Sequence, residues 1–131
     1  MRVAVFAGMA ALAAAVPALA DIAVETKLNG KSEVTLHLHP FLSEEELTLL
    51  RMVQTNDQAL AIFVPGKAGF AALAVSPDDG FLRNGQPVPS AIALADLPDA
   101  ATAEKEALAA CDATRKGKNS CVLVLTVAPG G

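Results

Sequence analysis

Two histidines are the residues of this chain whose type and spacing could most directly do chemistry. His37 and His39 alternate with apolar residues in the segment EVTLHLH, Glu33 to His39. Residues two apart on a strand share a face, so both imidazoles could reach one Zn²⁺ or Cu²⁺. A metal site needs at least one more ligand, and the simpler alternative is a pair of histidines on the solvated face of a sheet. The pair is a candidate site for a metal-binding protein.

Other potentially reactive groups have structural interpretations. Glu44 and Glu45 could be paired carboxylates, but a helix start favours negative charge through the helix dipole. Asp78-Asp79-Gly80 lacks the alternating oxygen ligands of a calcium loop and reads as a turn. No serine lies in a GxSxG elbow. The sequence therefore predicts a domain without catalytic activity and without a cofactor.

The N-terminus, MRVAVFAGMAALAAAVPALA, has the layout of a secretory signal peptide. Arg2 is followed by a charge-free apolar run, residues 3–16, and Ala18-Leu19-Ala20 supplies small residues at a cleavage site. A membrane span needs about 20 apolar residues, and this run is shorter. Residues 1–20 are predicted to be removed, which leaves one small exported, periplasmic or secreted domain, residues 21–131, without a membrane span.

The composition restricts the class of partner. The formal net charge is −4, and loss of Arg2 with the signal makes it more negative. An acidic domain is poorly suited to nucleic acid, whose binding depends on neutralising phosphates. The chain has no Trp and no Tyr, so surfaces for stacking bases are scarce. The predicted partner is a protein of the cell envelope, of unknown identity.

Cys111 and Cys121 bracket a short basic loop, CDATRKGKNSC. Zinc sites and redox-active dithiols usually place cysteines in a CxxC motif, and neither cysteine here has one. In an oxidising compartment two such thiols form a disulfide. The sequence predicts a structural Cys111–Cys121 disulfide.

The hydrophobic pattern predicts six elements in the order β-α-β-β-α-β. Period-two alternation or apolar runs indicate strands, while Ser43 with Glu46 forms a capping box and Asp99 begins a second helix. Two βαβ units joined by a hairpin predict a ferredoxin-like α+β fold, an antiparallel sheet with both helices on one face. The predicted strands are residues 33–39, 59–64, 70–75 and 121–127, and the predicted helices are residues 43–56 and 99–116. Residues 21–31 are predicted to form a loosely held lead-in. In the alternative α+β fold, residues 91–95 add a fifth strand.

An irregular segment, residues 76–98, contains Phe81, Leu82 and Arg83 between Gly80 and Gly85. A protruding Phe-Leu-Arg has the apolar and Arg character of an interaction anchor. The alternative is that Phe81 and Leu82 fold back and cap the core under a long loop.

The second half of the chain resembles small exported bacterial proteins of undefined function. The resemblance rests on FAALAVSPDDGF, on ATAEKEALAACDA with its A-x-x-x-A-L-x-x-C pattern, and on CVLVLTV, a strand that opens on a cysteine. It implies a strand, a helix and a disulfide, and no catalytic residues. Short exported chains of this kind sometimes carry an aminolevulinate-synthase label. That enzyme holds pyridoxal phosphate on a lysine within a much larger fold, for which this chain is too short.

Overall fold

The computed structural model describes residues 22–66 and 69–129, and the predicted signal peptide lies outside them. Within these residues, seven strands and three helices follow one another in the order β1, β2, α1, α2, β3, β4, β5, β6, α3 and β7. The strands are β1 Ala23–Asn29, β2 Ser32–Leu38, β3 Phe70–Val75, β4 Leu82–Arg83, β5 Gln86–Pro87, β6 Ile92–Leu97 and β7 Val122–Ala128. The helices are α1 Glu44–Thr55, α2 Asp57–Phe63 and α3 Ala100–Thr114.

The main sheet has five strands in the order β1-β2-β7-β3-β6, and every neighbouring pair is antiparallel. Strand β7, the last of the described strands, lies between β2 and β3, so the sheet is continuous only when β7 is in place. Strands β4 and β5 form a separate two-stranded ribbon. The protein is therefore α+β with an antiparallel sheet, as predicted.

Strand β3 shows how the layers are stacked, because it is buried on both faces. Leu73 and Val75 join a core with Leu50 of α1, whereas Ala72 and Ala74 join a second core with Ala107 of α3. Alternate residues of a strand point to opposite faces, so α1 and α3 lie on opposite sides of the sheet. The alanines on the α3 side let helix and sheet approach closely.

The predicted ferredoxin-like order is not confirmed. That arrangement places both helices on one face, whereas here α1 packs on β1 and β2, and α3 packs on β3, β6 and β7 from the other side. The sheet also gains β1 at one edge, and the additional strand predicted at 91–95 is present at the other edge as β6.

The strand predicted at residues 59–64 is wrong, because this segment belongs to helix α2. Asn56 caps the helix, its side-chain oxygen accepting the backbone N–H of Ala59 at 2.9 Å. A short apolar run fits a strand or a buried helix equally well, and the cap decides for the helix. The hairpin partner of β3 is consequently β6 and not residues 59–64.

The loose lead-in predicted at 21–31 is also wrong over its described part, which forms β1 and the turn into β2. Gly30 occupies the first position of the two-residue loop with φ +64°, where glycine carries no steric cost. Helix α1 begins as predicted, with the complete Ser43–Glu46 capping box. None of the helices in the described part of the chain is long and apolar enough to cross a membrane.

Candidate binding groove

An apolar groove opens on the sheet face that carries α1. The residues of β3 on this face are buried in the main core, whereas no described helix packs on the same face of the edge strand β6. The space there measures about 820 Å³, within the range typical of ligand and partner pockets. Its walls and floor are formed by Leu49, Leu50, Met52, Val53, Ala59, Ile62, Phe63, Pro65, Leu73, Phe81, Pro87, Ala93, Ala95, Asp96 and Leu125.

The helical wall of the groove exposes large apolar side chains. Ile62 of α2 is 81% exposed, Met52 of α1 43% and Leu49 of α1 40%. Scattered exposed apolar residues are ordinary in a folded protein, whereas large contiguous apolar patches are often interaction sites. These three side chains all border one groove, so the patch is contiguous.

Glu46, whose side chain is fully buried, anchors the segment that forms the Phe81 wall of the groove. Its Oε1 accepts the backbone N–H of Ser43 at 2.9 Å, completing the capping box. Its Oε2 accepts the backbone N–H groups of Phe81 at 2.8 Å and Leu82 at 2.9 Å. A single carboxylate thus fixes the start of α1 and anchors the segment that supplies the Phe81 wall.

The environment of Glu46 keeps it ionised, since its pKa lies below the ordinary value. Burial by itself would raise this pKa. The three backbone N–H donors and the Arg83 guanidinium, 3.7 Å from Oε2, stabilise the charged form and outweigh the burial.

The segment Phe81-Leu82-Arg83 does not protrude. Phe81 packs against the main core and both Phe81 and Leu82 are half-buried, so the fold-back alternative describes their position. Phe81 nevertheless lines the groove. Its contribution to binding would be as a wall of the groove, and only Arg83 of the three is exposed.

One end of the groove is formed where β6 bulges against the turn after α2. Asp96 has φ +62°, and its Oδ2 accepts the backbone N–H of Gly66 at 3.2 Å. A Cβ on Gly69 would collide with the Asp96 backbone, so glycine is required there. Asp96 is the one charged residue among those lining the groove in the described part of the chain.

The two histidines lie on the opposite side of the sheet, near α3. Their ring centroids are 6.4 Å apart, and His39 Nε2 is bonded to the carbonyl oxygen of Leu123 at 2.8 Å. His37 Nε2 is buried without a hydrogen-bond partner. Burial, then the neighbouring His39, lower the pKa of His37 against the opposing effect of Glu104. Within the described residues no third His, Cys, Asp or Glu completes a metal-binding group.

Asp78 and Asp79 form a turn, as predicted, and hold the loop between the cysteines. Asp78 Oδ2 accepts the backbone N–H of Asn119 at 2.9 Å, and Asp79 Oδ2 accepts that of Lys116 at 2.8 Å. These donors keep the pKa of both carboxyls below the ordinary value. Both carboxylates accept hydrogen bonds from backbone N–H groups of this loop and are not arranged around a cation.

The predicted Cys111–Cys121 disulfide is present and buried in the second core. It joins the last turn of α3 to the residue before β7. Gly117, at the tip of the loop, packs so closely on Asp78 that a Cβ there would collide with its side chain. The disulfide fits an oxidising location.

No family model, no curated protein and no solved structure matches this chain.

The groove was not predicted from the sequence, although part of its signal was visible. Leu49 and Met52 flank Leu50 and Val53 on α1, which makes the apolar stripe of that helix wider than one buried contact requires. The floor residues Ala93 and Ala95 come from β6, whose position beside β3 no local pattern indicates. Glu46 was predicted as a cap, and its bonds to Phe81 and Leu82 span more than 30 residues.

Proposed function

We propose that the protein is a small exported, non-catalytic binding domain whose groove receives an apolar helix of a cell-envelope protein. The observation that carries this proposal is the open apolar groove of about 820 Å³, bordered by the exposed side chains of Leu49, Met52 and Ile62. Burying such side chains is favourable by about 25 cal/mol per Å² of apolar surface.

The groove suits a helix because the edge of the sheet beside it is not covered by one. On this face no described helix packs on the edge strand β6, where Ala93 is exposed and Ala95 is half-buried. Sheets in compact domains bury such a face against a helix. The small side chains of Ala93 and Ala95 leave room above the floor of the groove. An amphipathic helix could place its apolar face along this floor.

Charge favours a partner with basic residues beside that apolar stripe. Asp96 lies at one end of the groove, and Glu45 is exposed one turn before Leu49 on the same face of α1. The chain is acidic as a whole, with a formal charge of −4. Complementary charge speeds association and disfavours wrong partners.

A site-specific cross-link tests this proposal. Ile62 would be replaced by a photoreactive phenylalanine analogue in the protein expressed in its native cell, and Lys105 of α3, exposed on the other side of the sheet, would be replaced as the matched control. We expect irradiation to join position 62 to one envelope protein, at an apolar residue within a segment of helical periodicity flanked by Lys or Arg. Position 105 should not give this adduct.

The same cross-link should be lost when the groove is altered without unfolding the protein. Ile62 is almost fully exposed, so Ile62→Asp should leave the melting temperature nearly unchanged. In a pull-down with purified partner, Ile62→Asp should bind at least about tenfold more weakly, as expected for a central apolar contact. Equal binding by Ile62→Asp and by Lys105→Asp would refute the groove as the binding surface.

Two further hypotheses from the sequence remain proposals. Export to the periplasm, in the manner of the small exported bacterial proteins that the second half resembles, is supported by the disulfide. Metal binding by His37 and His39 is the alternative function. A titration with Zn²⁺ or Cu²⁺, followed through the imidazole NMR signals, separates it from the binding-domain proposal, because the latter predicts no saturable shift.

A further inference from the structure

Strand β1 is an edge strand with a free side. It is the first strand of the sheet and pairs only with β2, along all seven of its residues, Ala23–Asn29. No described element lies beyond it. An edge of this kind presents unpaired backbone N–H and C=O groups to any other strand that can align with it.

The hairpin geometry decides which residues point their backbone groups outward. Asn29 and Ser32 close a two-residue loop, and such a closing pair is a hydrogen-bonded pair. Hydrogen-bonded and non-hydrogen-bonded pairs alternate along an antiparallel ladder. The N–H and C=O groups of Val24, Thr26 and Leu28 therefore point away from β2 and toward solvent.

The side chains of this edge form a second exposed apolar patch. Leu28 is 70% exposed, Val24 58% and Ile22 36%. Val24 and Leu28 lie on the same face of the sheet as Thr26. Val24 pairs with His37 of β2, and Leu28 pairs with Glu33. Helix α3 packs on β3, β6 and β7, so this end of the sheet lies beyond its cover.

The usual protections of an edge strand are weak in β1. The strand contains no proline, its register with β2 runs without a bulge, and Lys27 is its one basic residue. Long, regular and partly apolar edges are the ones that pair with another chain. The features of β1 favour pairing.

We infer that β1 pairs antiparallel with β1 of a second copy of this chain, about a two-fold axis at Thr26. In this register Thr26 lies opposite Thr26 of the other copy. Val24 of each copy lies opposite Leu28 of the other, so the interface contains this pair twice. All outward backbone groups then meet outward groups. The five-stranded sheet of each copy continues into the other, and the interface is isologous, as in most homodimers.

Charge selects this register over its neighbours. Around Thr26, Glu25 of each copy lies opposite Lys27 of the other, which gives two cross-strand pairs of opposite charge. Two adjacent registers also match the outward backbone groups. The register centred at Glu25 places the two Glu25 side chains opposite each other, and the register centred at Lys27 places the two Lys27 side chains opposite each other. Opposite charges across a ladder stabilise it and like charges destabilise it.

The inference goes beyond the proposed function and does not depend on it. The groove lies over β3 and β6, whereas β1 forms the far edge of the sheet. A dimer through β1 leaves both grooves open.

A charge-swap series tests the dimer and its register together. The mass of the protein expressed from its full sequence would be measured by light scattering and sedimentation over a range of concentrations. We expect a dimer for the natural protein. Glu25→Lys and Lys27→Glu should each raise the dimer dissociation constant by about tenfold or more, since each creates two like-charge pairs.

The decisive result is recovery of the dimer. Mixing the Glu25→Lys protein with the Lys27→Glu protein should give a heterodimer, and the double variant carrying both changes should again form a homodimer. Lys105→Glu, with the same change of charge on exposed α3, should dimerise like the natural protein. Because Glu25 also pairs with Arg51 at 3.3 Å, circular dichroism would verify that each variant is folded.

A monomer at the highest attainable concentration would overturn the inference. So would a dimer that survives both single swaps, because it would use another surface. Loss of the dimer in the single variants without recovery in the mixture would refute the register.

Discussion

At the scale of the residue, the buried carboxylate of Glu46 links two segments that are more than 30 residues apart in the chain. Its two oxygens accept three backbone N–H groups, one from the cap of α1 and two from the segment Phe81–Leu82. The carboxylate is buried, and its hydrogen bonds are charge-assisted and therefore stronger than neutral ones. Glu46 thus couples the helix start to the Phe81 wall of the groove.

We predict that Glu46→Gln destabilises the protein by about 2–4 kcal/mol. An amide has only one acceptor oxygen, so either the backbone N–H of Ser43 or those of both Phe81 and Leu82 lose their acceptor and face the amide NH₂ group. Urea denaturation followed by circular dichroism measures the effect. Glu45→Gln, an exposed carboxylate in the same helical turn, should change stability by less than about 0.5 kcal/mol.

The same substitution predicts a pH dependence. The pKa of Glu46 is lowered by folding, so its contribution to stability is present above the ordinary carboxyl pKa and is lost as the pH falls through the lowered folded pKa. The stability difference between the natural protein and Glu46→Gln should therefore shrink in acid. A difference that is independent of pH would contradict an ionised Glu46.

At the scale of the element, the junction between α3 and β7 is fixed twice. The Cys111–Cys121 disulfide joins the two elements covalently, and the backbone N–H groups of Lys116 and Asn119 bond to Asp79 and Asp78. Strand β7 lies in the middle of the sheet, so its position controls the register of β2 and β3. The loop between the cysteines therefore helps to fix where β7 enters the sheet.

We predict that replacing both cysteines, Cys111→Ala with Cys121→Ala, lowers the free energy of unfolding by about 3 kcal/mol. The chain-entropy model gives this size for a loop of this length. Urea denaturation measures it, with Lys118→Ala, an exposed change inside the same loop, as the control. Native protein that reacts fully with a thiol reagent before any reduction would contradict the disulfide itself.

At the scale of the whole molecule, the exposed apolar side chains separate into two patches. One borders the groove on the α1 face, and the other follows the edge strand β1. The first lies beside β6, one edge strand of the sheet, and the second lies along β1, the other edge strand. The two patches are the surfaces on which the proposed partner helix and the proposed second copy of the chain would bind.

We predict that the exported protein begins at Asp21. The charge-free run before Pro17 and the small residues Ala18 and Ala20 indicate cleavage after Ala20. Mass spectrometry of the protein recovered from the periplasm or the medium measures the N-terminus. A protein that keeps Met1 and fractionates with membranes would contradict cleavage and support an anchor.

The sequence by itself determined the features that depend on neighbouring residues. The capping box at Ser43, strand β3, helix α3 and the additional strand near Ala93 follow from local periodicity and caps. The Cys111–Cys121 disulfide follows from chemistry and spacing. Each of these rests on interactions within a few residues of the chain, or on a pair with no competing partner.

Only the tertiary structure decided the features that depend on how distant segments meet. Residues 59–63 belong to a helix, and the place beside β3 that a strand from this segment was predicted to take is held by β7 and β6, which come from the far end of the chain. β1 is an exception, because the Gly30-Lys31 turn that joins it to β2 is a local hairpin signal that the prediction of a loose lead-in missed. The groove exists because α1 and α3 pack on opposite faces of the sheet and cover different strands. The hydrophobic effect that drives this packing is non-directional. No local sequence pattern therefore indicates which strands a helix will cover.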